Sequence, residues 1–300
     1  MIGRHYGAGT MNKVRGLVVR SKHLISHVNE QKKHISVAVS HGSRSMVLAA
    51  RWLKVPALTM YDYEFTETRL FNHFSTRVLV PDAIPDAVLD EIGLASDKRV
   101  KYPGIKEELY VSHFKPDVQF RTGFLAEHGH HNDNEKVLVT LRPPATTANY
   151  HSGKSDALFD DLLHFLLNAE HVIMVIVPRT HEQTAAIAGK IANVADAGGQ
   201  CILLDSAVDG MQLTYASDLL ISGGGTMNRE AALLGVPVYS IFAGRQGALD
   251  RKMEEDGKIT FIRDARDISK IRLEKRDAAA PTPLTDRVEK FVISEIEKFF

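Results

Sequence analysis

Short aliphatic runs alternate with amphipathic segments along most of the chain. The run HISVAVS (His34–Ser40) has the composition of a buried strand, and Ser43–Lys54 carries apolar residues at helical spacing. Further predicted strands are PALTMYD, TRVLVPD, KVLVTLRPP, HVIMVIVPR, CILLD, DLLISGG and VPVYSIF, and further predicted helices are ETRLFNHFS, DAVLDEIG, DALFDDLLHFLLN, HEQTAAIAGKIANVA, DGMQLTYA and NREAALLG. Strands buried on both faces and separated by helices predict parallel sheets in a doubly wound α/β fold.

The alternation breaks twice, and the breaks predict the domain organisation. Residues 106–134 show no apolar period and are interpreted as a hinge. We therefore expect an amino-terminal Rossmann-like domain over residues 1–132 and a nucleotide-binding Rossmann-like domain over residues 133–275. After RDAAAPTP, residues 276–300 are expected to form a linker and an amphipathic helix with Thr285 as its N-cap. We expect this helix to pack back on the first domain.

Composition excludes several classes of protein. The 300 residues carry a formal net charge of zero, which argues against general nucleic-acid binding because such proteins carry a basic surplus. Cys201 is the single cysteine, so the chain has no internal disulfide and no CxxC zinc site. No apolar run approaches the roughly 20 residues of a membrane span. A cytoplasmic protein is the expectation.

The stretch SGGGTMNREAALLGVP (Ser222–Pro237) places three glycines between a strand and a helix. Glycines there let the backbone turn tightly and approach a ligand, and the helix directs its N–H groups at an anion such as phosphate. A dinucleotide fingerprint would need a glycine where Asn228 stands, which disfavours NAD. Glu230, on the helix, suits paired ribose hydroxyls. A tight packing turn with a surface glutamate explains the glycines alone equally well.

Two arginines follow strands of the second predicted domain. Arg142 in LRPP and Arg179 in VPRTHEQ could each clamp a phosphate bidentately, and a surface arginine is the competing interpretation. Asp205, at the end of CILLD, could contact a base or ribose, but capping of the next helix is the favoured interpretation.

The first predicted domain offers acid–base candidates. Asp62 and Glu64 in MYDYE lie two residues apart, which places them on one face of an extended segment. His41 in SHGS ends the preceding strand. One of these groups could act as a general base, or two of them could act as an acid and a base. Helix capping by a carboxylate and a turn position for His41 are the alternatives.

Basic residues dominate the start of the chain. The first 33 residues hold one acid, Glu30, and seven cations: Arg4, Lys13, Arg15, Arg20, Lys22, Lys32 and Lys33. A basic amphipathic helix here could dock peripherally on the inner membrane surface, where a lipid-linked acceptor would be found. A solvated helix that packs its apolar side on the sheet is the favoured alternative.

The stretch DGMQLTYASDLLISGGGTMNREAALLGVPVYSIF resembles the carboxyl-terminal domain of GT-B-fold enzymes. The lipid II synthase glycosyltransferase and the non-hydrolysing UDP-N-acetylglucosamine 2-epimerases share its pattern. The resemblance implies that Ser222, Gly223 and Gly224 hold the diphosphate of a UDP-linked sugar and that Glu230 holds the ribose. Gly225, Thr226 and Asn228 would add contacts. It also implies a metal-independent site without a separate cofactor.

A second resemblance extends over nearly the whole chain. The motifs SHGS, LTMYDYE, YPGIKEELYVSHFKPD, VTLRPP, VPRTHEQ and SGGGTMNREAALLG are similar to the family called domain of unknown function 354. The family resemblance implies a GT-B-like fold without fixing a reaction. The opening MIGRHYGAGTMNKVRGL resembles a position inside the family's first domain, so we expect that domain to lack its opening strand or strands. The sheet edge so exposed predicts self-association.

Three functions remain open. The first is a GT-B glycosyltransferase that uses a nucleotide sugar and an unidentified acceptor. The second is an enzyme like the 2-epimerases, in which Asp62 and Glu64 both act. The third is a non-catalytic nucleotide-sugar-binding protein.

Overall fold

The computed structural model describes residues 9–31, 34–144, 153–192, 200–277 and 285–300. The chain forms two compact units. The first contains Met1–Leu109, Gly247–Leu249 and Thr285–Phe300, and the second contains Tyr110–Gln246 and Asp250–Leu284.

Helices and strands alternate as the sequence pattern predicts. The helices are α1 (Thr10–Gln31), α2 (Arg44–Leu53), α3 (Arg69–Phe74), α4 (Asp86–Glu91), α5 (Glu108–Val111), α6 (Phe120–Glu127), α7 (Gly153–Leu167), α8 (His181–Ala192), α9 (Gly210–Ala216), α10 (Gly225–Leu233), α11 (Ala248–Glu255) and α12 (Arg287–Glu297). The strands are β1 (Ala38–His41), β2 (Ala57–Met60), β3 (Arg77–Pro81), β4 (Arg99–Tyr102), β5 (Val137–Arg142), β6 (Val172–Ile176), β7 (Gln200–Leu203), β8 (Leu219–Ser222), β9 (Val238–Ser240) and β10 (Thr260–Phe261).

The first unit is built on a parallel sheet with the order β1-β2-β3-β4. Successive side chains of a strand enter opposite faces, so Val78 and Val80 join one core while Leu79 joins the other. The second of these cores includes Val288 and Val292 of α12, which therefore covers one face of this sheet. Within the described chain β1 pairs with β2 alone, and its Val39 is 48% exposed.

The second unit is built on a six-stranded parallel sheet with the order β10-β9-β8-β5-β6-β7. The chain proceeds outward from β5 through β6 to β7 and then returns to β8 on the other side of β5. The strand order therefore reverses between β5 and β8. In open α/β sheets, ligands bind at the carboxyl ends of the strands beside such a reversal.

The structure of residues 106–134 differs from the hinge that the sequence predicts. Residues 106–134 contain α5 and α6, and α6 buries Phe124 and Leu125 in a core with Leu138 and Ile173. This apolar packing places Tyr110 onward in the second unit, whereas the sequence interpretation extended the first domain to residue 132. Helix α12 begins at Arg287 with Asp286 at its N-cap position, so Thr285 is not the cap.

The basic segment near the start forms α1, whose Ser21 hydroxyl donates to the backbone oxygen of Ser45 in α2. Its side chains Met11, Val14 and Val18 are exposed. Arg4, Lys32 and Lys33 lie outside the described residues. Peripheral membrane contact through this helix stays a prediction.

Candidate functional site

The predicted glycine turn lies at the strand-order reversal of the second unit. Arg142 and Ser222, the last residues of β5 and β8, are register partners, and Gly223 N donates to Arg142 O at 3.0 Å. The backbone after β8 is thereby fixed against the end of β5.

Close approach, and not an unusual backbone conformation, requires glycine at position 223. A Cβ on Gly223 would lie 2.7 Å from the Cα of Pro144, and one on Gly224 would lie 2.7 Å from Nη2 of Arg179. Gly224 has φ −123° and ψ 150°, which any residue can adopt. The Pro144 backbone therefore limits the side chain at residue 223, whereas the Arg179 side chain could move away from a side chain at residue 224.

Helix α10 begins at Gly225 directly after this turn. Its N-cap residue is Gly224, and no side chain caps it; the Ser222 hydroxyl instead accepts from Gly224 N at 3.0 Å. The first N–H groups of a helix have no intrahelical acceptor and carry the positive end of the dipole. The amino end of α10 is thus suited to an anion.

A cavity of about 800 Å³ opens at this point, within the range of small-molecule sites. Its walls come from the ends of β5, β6 and β7 and from the first turns of α9 and α10. The lining residues are Arg142, Val177, Pro178, Arg179, Ser206, Ala207, Val208, Asp209, Gly210, Met211, Leu213, Gly224, Gly225, Thr226, Met227 and Glu230.

The two predicted arginines both line this cavity. Burial lowers the pKa of the Arg142 guanidinium, while the Glu230 carboxylate acts in the opposite direction. Nη1 of Arg142 donates to Sδ of Met227 at 4.0 Å, and sulfur is a weak acceptor. Nε of Arg179 donates to Pro143 O at 3.3 Å, and its backbone N donates to Oε1 of Gln183 at 2.8 Å. Two guanidinium groups therefore line the cavity together with the amino end of α10.

Glu230 lies in the second turn of α10 and also lines the cavity. Its Oε1 accepts a hydrogen bond from the Tyr110 hydroxyl at 2.7 Å. Sequence reasoning missed Tyr110, since it is 120 residues from Glu230 and no local pattern connects the two.

Three residues of the predicted glycine segment, Ser222 to Asn228, do not line the cavity. These are Ser222, Gly223 and Asn228. The Asn228 side chain is buried at 3% exposure and donates to Ser222 O at 3.4 Å. Asp205 is exposed and lies outside the cavity lining as well. The cap of α9 is Asp209, whose carboxylate accepts from the backbone N of Met211 and of Gln212.

The aspartate of the YASD motif has a structural position. Oδ2 of Asp218 accepts from Leu138 N at 2.8 Å and from Nη2 of Arg121 at 3.0 Å, while Oδ1 accepts from Arg276 N. This carboxylate joins the start of β5, helix α6 and the segment that follows residue 270. It stabilises the second unit without touching the cavity.

In the first unit, the predicted acid–base residues separate into two environments. Asp62 is buried, with Oδ2 2.9 Å from Nζ of Lys106 and Oδ1 3.5 Å from Nε2 of His41. Lys106 also pairs with the buried Glu107. The His41 side chain is 45% exposed. A buried carboxylate thus stands beside an accessible imidazole, with Lys106 as a cation that sequence reasoning missed.

Glu64 is oriented toward a different partner. It is 2% exposed, and its Oε1 accepts from Ala248 N, the first residue of α11, at 2.7 Å. A carboxylate at a helix amino terminus is stabilised by the dipole. Strand β2 ends at Met60, so the strict alternation assumed for Asp62 and Glu64 does not apply. The structure supports the capping alternative for Glu64.

Across the ranges that the structure describes, no three His, Cys, Asp or Glu side chains are grouped as a metal site would need. The same ranges contain no helix long and apolar enough to cross a membrane.

Comparison with known structures supports the architecture. The fold matches UDP-GlcNAc 2-epimerase from Neisseria meningitidis bound to UDP-GlcNAc, with a TM-score of 0.68 at 16% identity over 94% of this chain and 82% of that one. The Methanocaldococcus jannaschii UDP-GlcNAc 2-epimerase gives 0.65 at 14% identity over 98% and 83%. Anabaena HepE in complex with UDP-glucose gives 0.56 at 15% identity over 84% and 71%. The fold is therefore GT-B-like, with two Rossmann-like sheets.

In sequence, the chain is similar to the uncharacterized protein MJ0665 of Methanocaldococcus jannaschii. It is 25% identical over 254 residues, which are 84% of this chain and 69% of that protein. The sequence model of the family described as "Protein of unknown function (DUF354)" matches residues 1–284. This match and the GT-B-like fold confirm the resemblance inferred from the motifs, and the chain belongs to the DUF354 family.

Proposed function

We propose that the cavity of the second unit binds a nucleotide sugar through its diphosphate. One observation carries the proposal: Arg142, Arg179 and the uncapped amino end of α10 surround one cavity at the strand-order reversal. Guanidinium groups bind phosphate oxygens bidentately, and helix amino ends favour anions. The phosphates would contact the backbone of Gly224, Gly225 and Thr226.

Glu230 would bind the ribose, because a carboxylate can accept from two neighbouring hydroxyls. The Neisseria epimerase structure contains UDP-GlcNAc and the Anabaena HepE structure contains UDP-glucose, which favours a uridine nucleotide. No metal and no separate cofactor are part of this proposal.

We further propose that the reaction is sugar transfer to an acceptor hydroxyl. His41 would accept the hydroxyl proton while Asp62 orients the imidazole and stabilises its charged form. The new bond forms between the acceptor oxygen and the anomeric carbon as the bond to the diphosphate breaks, and the nucleoside diphosphate leaves. The burial of Glu64 as a cap favours transfer with one exposed proton acceptor over a mechanism that needs both Asp62 and Glu64.

A 2-epimerase-like reaction is the second candidate. The ion pairs that Lys106 makes with Asp62 and Glu107 support it, because an ammonium and a carboxylate side by side offer both an acid and a base for elimination of the nucleotide. A binding protein without catalysis is the third.

Calorimetric titration of UDP-, GDP-, CDP- and dTDP-sugars tests the binding proposal. Arg142→Ala should weaken binding of the best ligand roughly 10- to 100-fold, since a hydrogen bond to a charged group contributes about 1.5–3 kcal/mol. Arg266→Ala is the matched control, because Arg266 is 91% exposed and paired with Asp264 outside the cavity. Equal affinity of the two variants would contradict the proposal.

Product analysis by NMR separates the reactions. Release of nucleoside diphosphate that depends on an added acceptor indicates transfer. A 2-epimer formed without any acceptor indicates epimerisation. Tight binding with neither product, tested with lipid-linked and soluble acceptors, would indicate a protein that binds nucleotide sugars without catalysis.

A further inference from the structure

We infer that Gln183 is a positioning residue that holds Arg179 against the amino end of α10, where the proposed site binds phosphate. Gln183 does not line the cavity itself, so its role, which rests on the proposed function, is to place a residue that does. Its side chain joins the two loops that follow the neighbouring strands β5 and β6. All of these segments belong to the second unit.

The side-chain amide of Gln183 makes one hydrogen bond to each loop. Its Oε1 accepts from the backbone N of Arg179 at 2.8 Å, and its Nε2 donates to the backbone oxygen of Pro144 at 3.0 Å. Gln183 lies in the first turn of α8, where its own backbone N donates to the Thr180 hydroxyl oxygen at 3.2 Å. The start of the helix therefore holds this side chain between the two loops.

The loop after β5 begins with a stiff segment. Arg142, the last residue of β5, is followed by Pro143 and Pro144. Proline fixes its own φ angle and restricts the residue before it to extended backbone. Both prolines are buried, and the Cα of Pro144 lies 2.7 Å from where a Cβ of Gly223 would be. The two proline carbonyl oxygens therefore have well-defined positions relative to β5 and β8.

Arg179 contacts the same segment through its backbone and through its side chain. Its backbone N is joined to Pro144 through Gln183, and its Nε donates to Pro143 O at 3.3 Å. The long side chain between these two points has several rotatable bonds, so the place of the guanidinium depends on where the backbone is held. Nη2 lies 2.7 Å from where a Cβ of Gly224, the N-cap residue of α10, would be. Gln183 thus sets the point from which the guanidinium reaches the helix terminus.

Calorimetric titration tests this role with whichever of UDP, GDP, CDP and dTDP binds the wild-type protein most tightly. Gln183→Met keeps the length of the side chain and removes both hydrogen bonds. It should weaken binding about 3- to 10-fold, because Arg179 must then be ordered when the ligand binds. Arg179→Ala should weaken binding about 10-fold or more. The double variant should bind as Arg179→Ala alone does, because Gln183 acts through the Arg179 side chain.

Gln212→Met is the matched control. Oε1 of Gln212 accepts from Asp117 N and its Nε2 donates to Lys115 O, both at 3.0 Å. This variant therefore loses the same pair of bonds to the backbone, in the same unit, at a side chain that does not line the cavity. It should bind the nucleotide as wild type does.

Gln183→Ala, which suits a helix, is a second variant with the same expected effect, and melting temperatures identify any variant that does not fold. Normal affinity of Gln183→Met beside weakened Arg179→Ala overturns the inference and leaves the diphosphate site. Equal weakening by Gln183→Met with and without the Arg179 side chain also overturns it, because the loss would then come from general disruption of α8. Wild type that binds none of the four nucleotides overturns the proposed function itself.

Discussion

The guanidinium of Arg229 donates from Nε and from Nη2 to Oδ1 of Asp250, at 3.0 and 2.8 Å, and both residues are buried. Arg229 stands next to Glu230 on α10, and its Nη2 lies 3.7 Å from where a Cβ of Gly225 would be. This ion pair joins α10 to α11 directly beneath the amino end that we assign to phosphate.

Arg229→Ala should destabilise the protein strongly. Removal of one partner of a buried ion pair leaves an uncompensated charge and costs about 3–5 kcal/mol. Urea unfolding measures the loss, and the double variant Arg229→Met, Asp250→Leu should recover much of it. A single variant as stable as wild type would show that the pair contributes little.

Gly223→Ala should disturb the glycine turn, whereas Gly189→Ala should not. The new methyl on residue 223 would lie 2.7 Å from the Pro144 backbone, which cannot move as a side chain does. A Cβ on residue 189, inside α8, would meet no atom within 4 Å beyond the helix's own backbone, and alanine favours a helix over glycine by about 1 kcal/mol. Thermal unfolding with and without nucleotide compares them. A tolerated Gly223→Ala with normal binding would contradict the close-approach explanation.

Glu64 and His41 of the first unit should respond differently to substitution. Glu64→Gln should lower the melting temperature, because it removes the charge that caps α11 at Ala248 N. His41→Asn should leave the melting temperature nearly unchanged, since the imidazole is half exposed, and should abolish transfer. Melting curves and product assays on both variants decide between the roles. Full activity of His41→Asn together with inactive, stable Glu64→Gln would reverse the assignment.

Stability should depend on pH through the surface pair of Arg263 and Glu254. The hydrogen bond from Arg263 lowers the pKa of Glu254, so its contribution is present above the ordinary glutamate pKa and is lost as pH falls through the folded-state value. The partly exposed pair should contribute roughly 0.2–1 kcal/mol.

Arg263→Gln should therefore be less stable than wild type at pH 7, and the difference should vanish in acid. Urea unfolding at pH 7, 5 and 3 measures it. A difference that grows on acidification would contradict the predicted sign.

Binding and turnover should survive EDTA. The proposed phosphate contacts are guanidinium groups and a helix amino end, which need no cation. Loss of activity with chelator, restored by manganese, would contradict the metal-independent mechanism and would make Asp62 a candidate ligand.

The sequence by itself determined the alternation of strands and helices, and hence the parallel sheets. Apolar periodicity and helix length are local properties, so KVLVTLRPP predicts strand β5 and NREAALLG predicts helix α10. The glycine turn, Arg142 and Arg179 were found because strand ends mark ligand sites in this architecture. Motif similarity supplied the family.

Only the tertiary structure decided which polar groups meet. Asp62 and Glu64 are two residues apart, yet one contacts Lys106 and the other caps α11, because side-chain partners come from distant segments. Tyr110 reaches Glu230 across 120 residues for the same reason. Likewise, glycine at position 223 is required by the Pro144 backbone, whose position follows from sheet packing. A local sequence pattern indicates whether a residue is buried, but which side chains it contacts depends on how the helices and strands pack together.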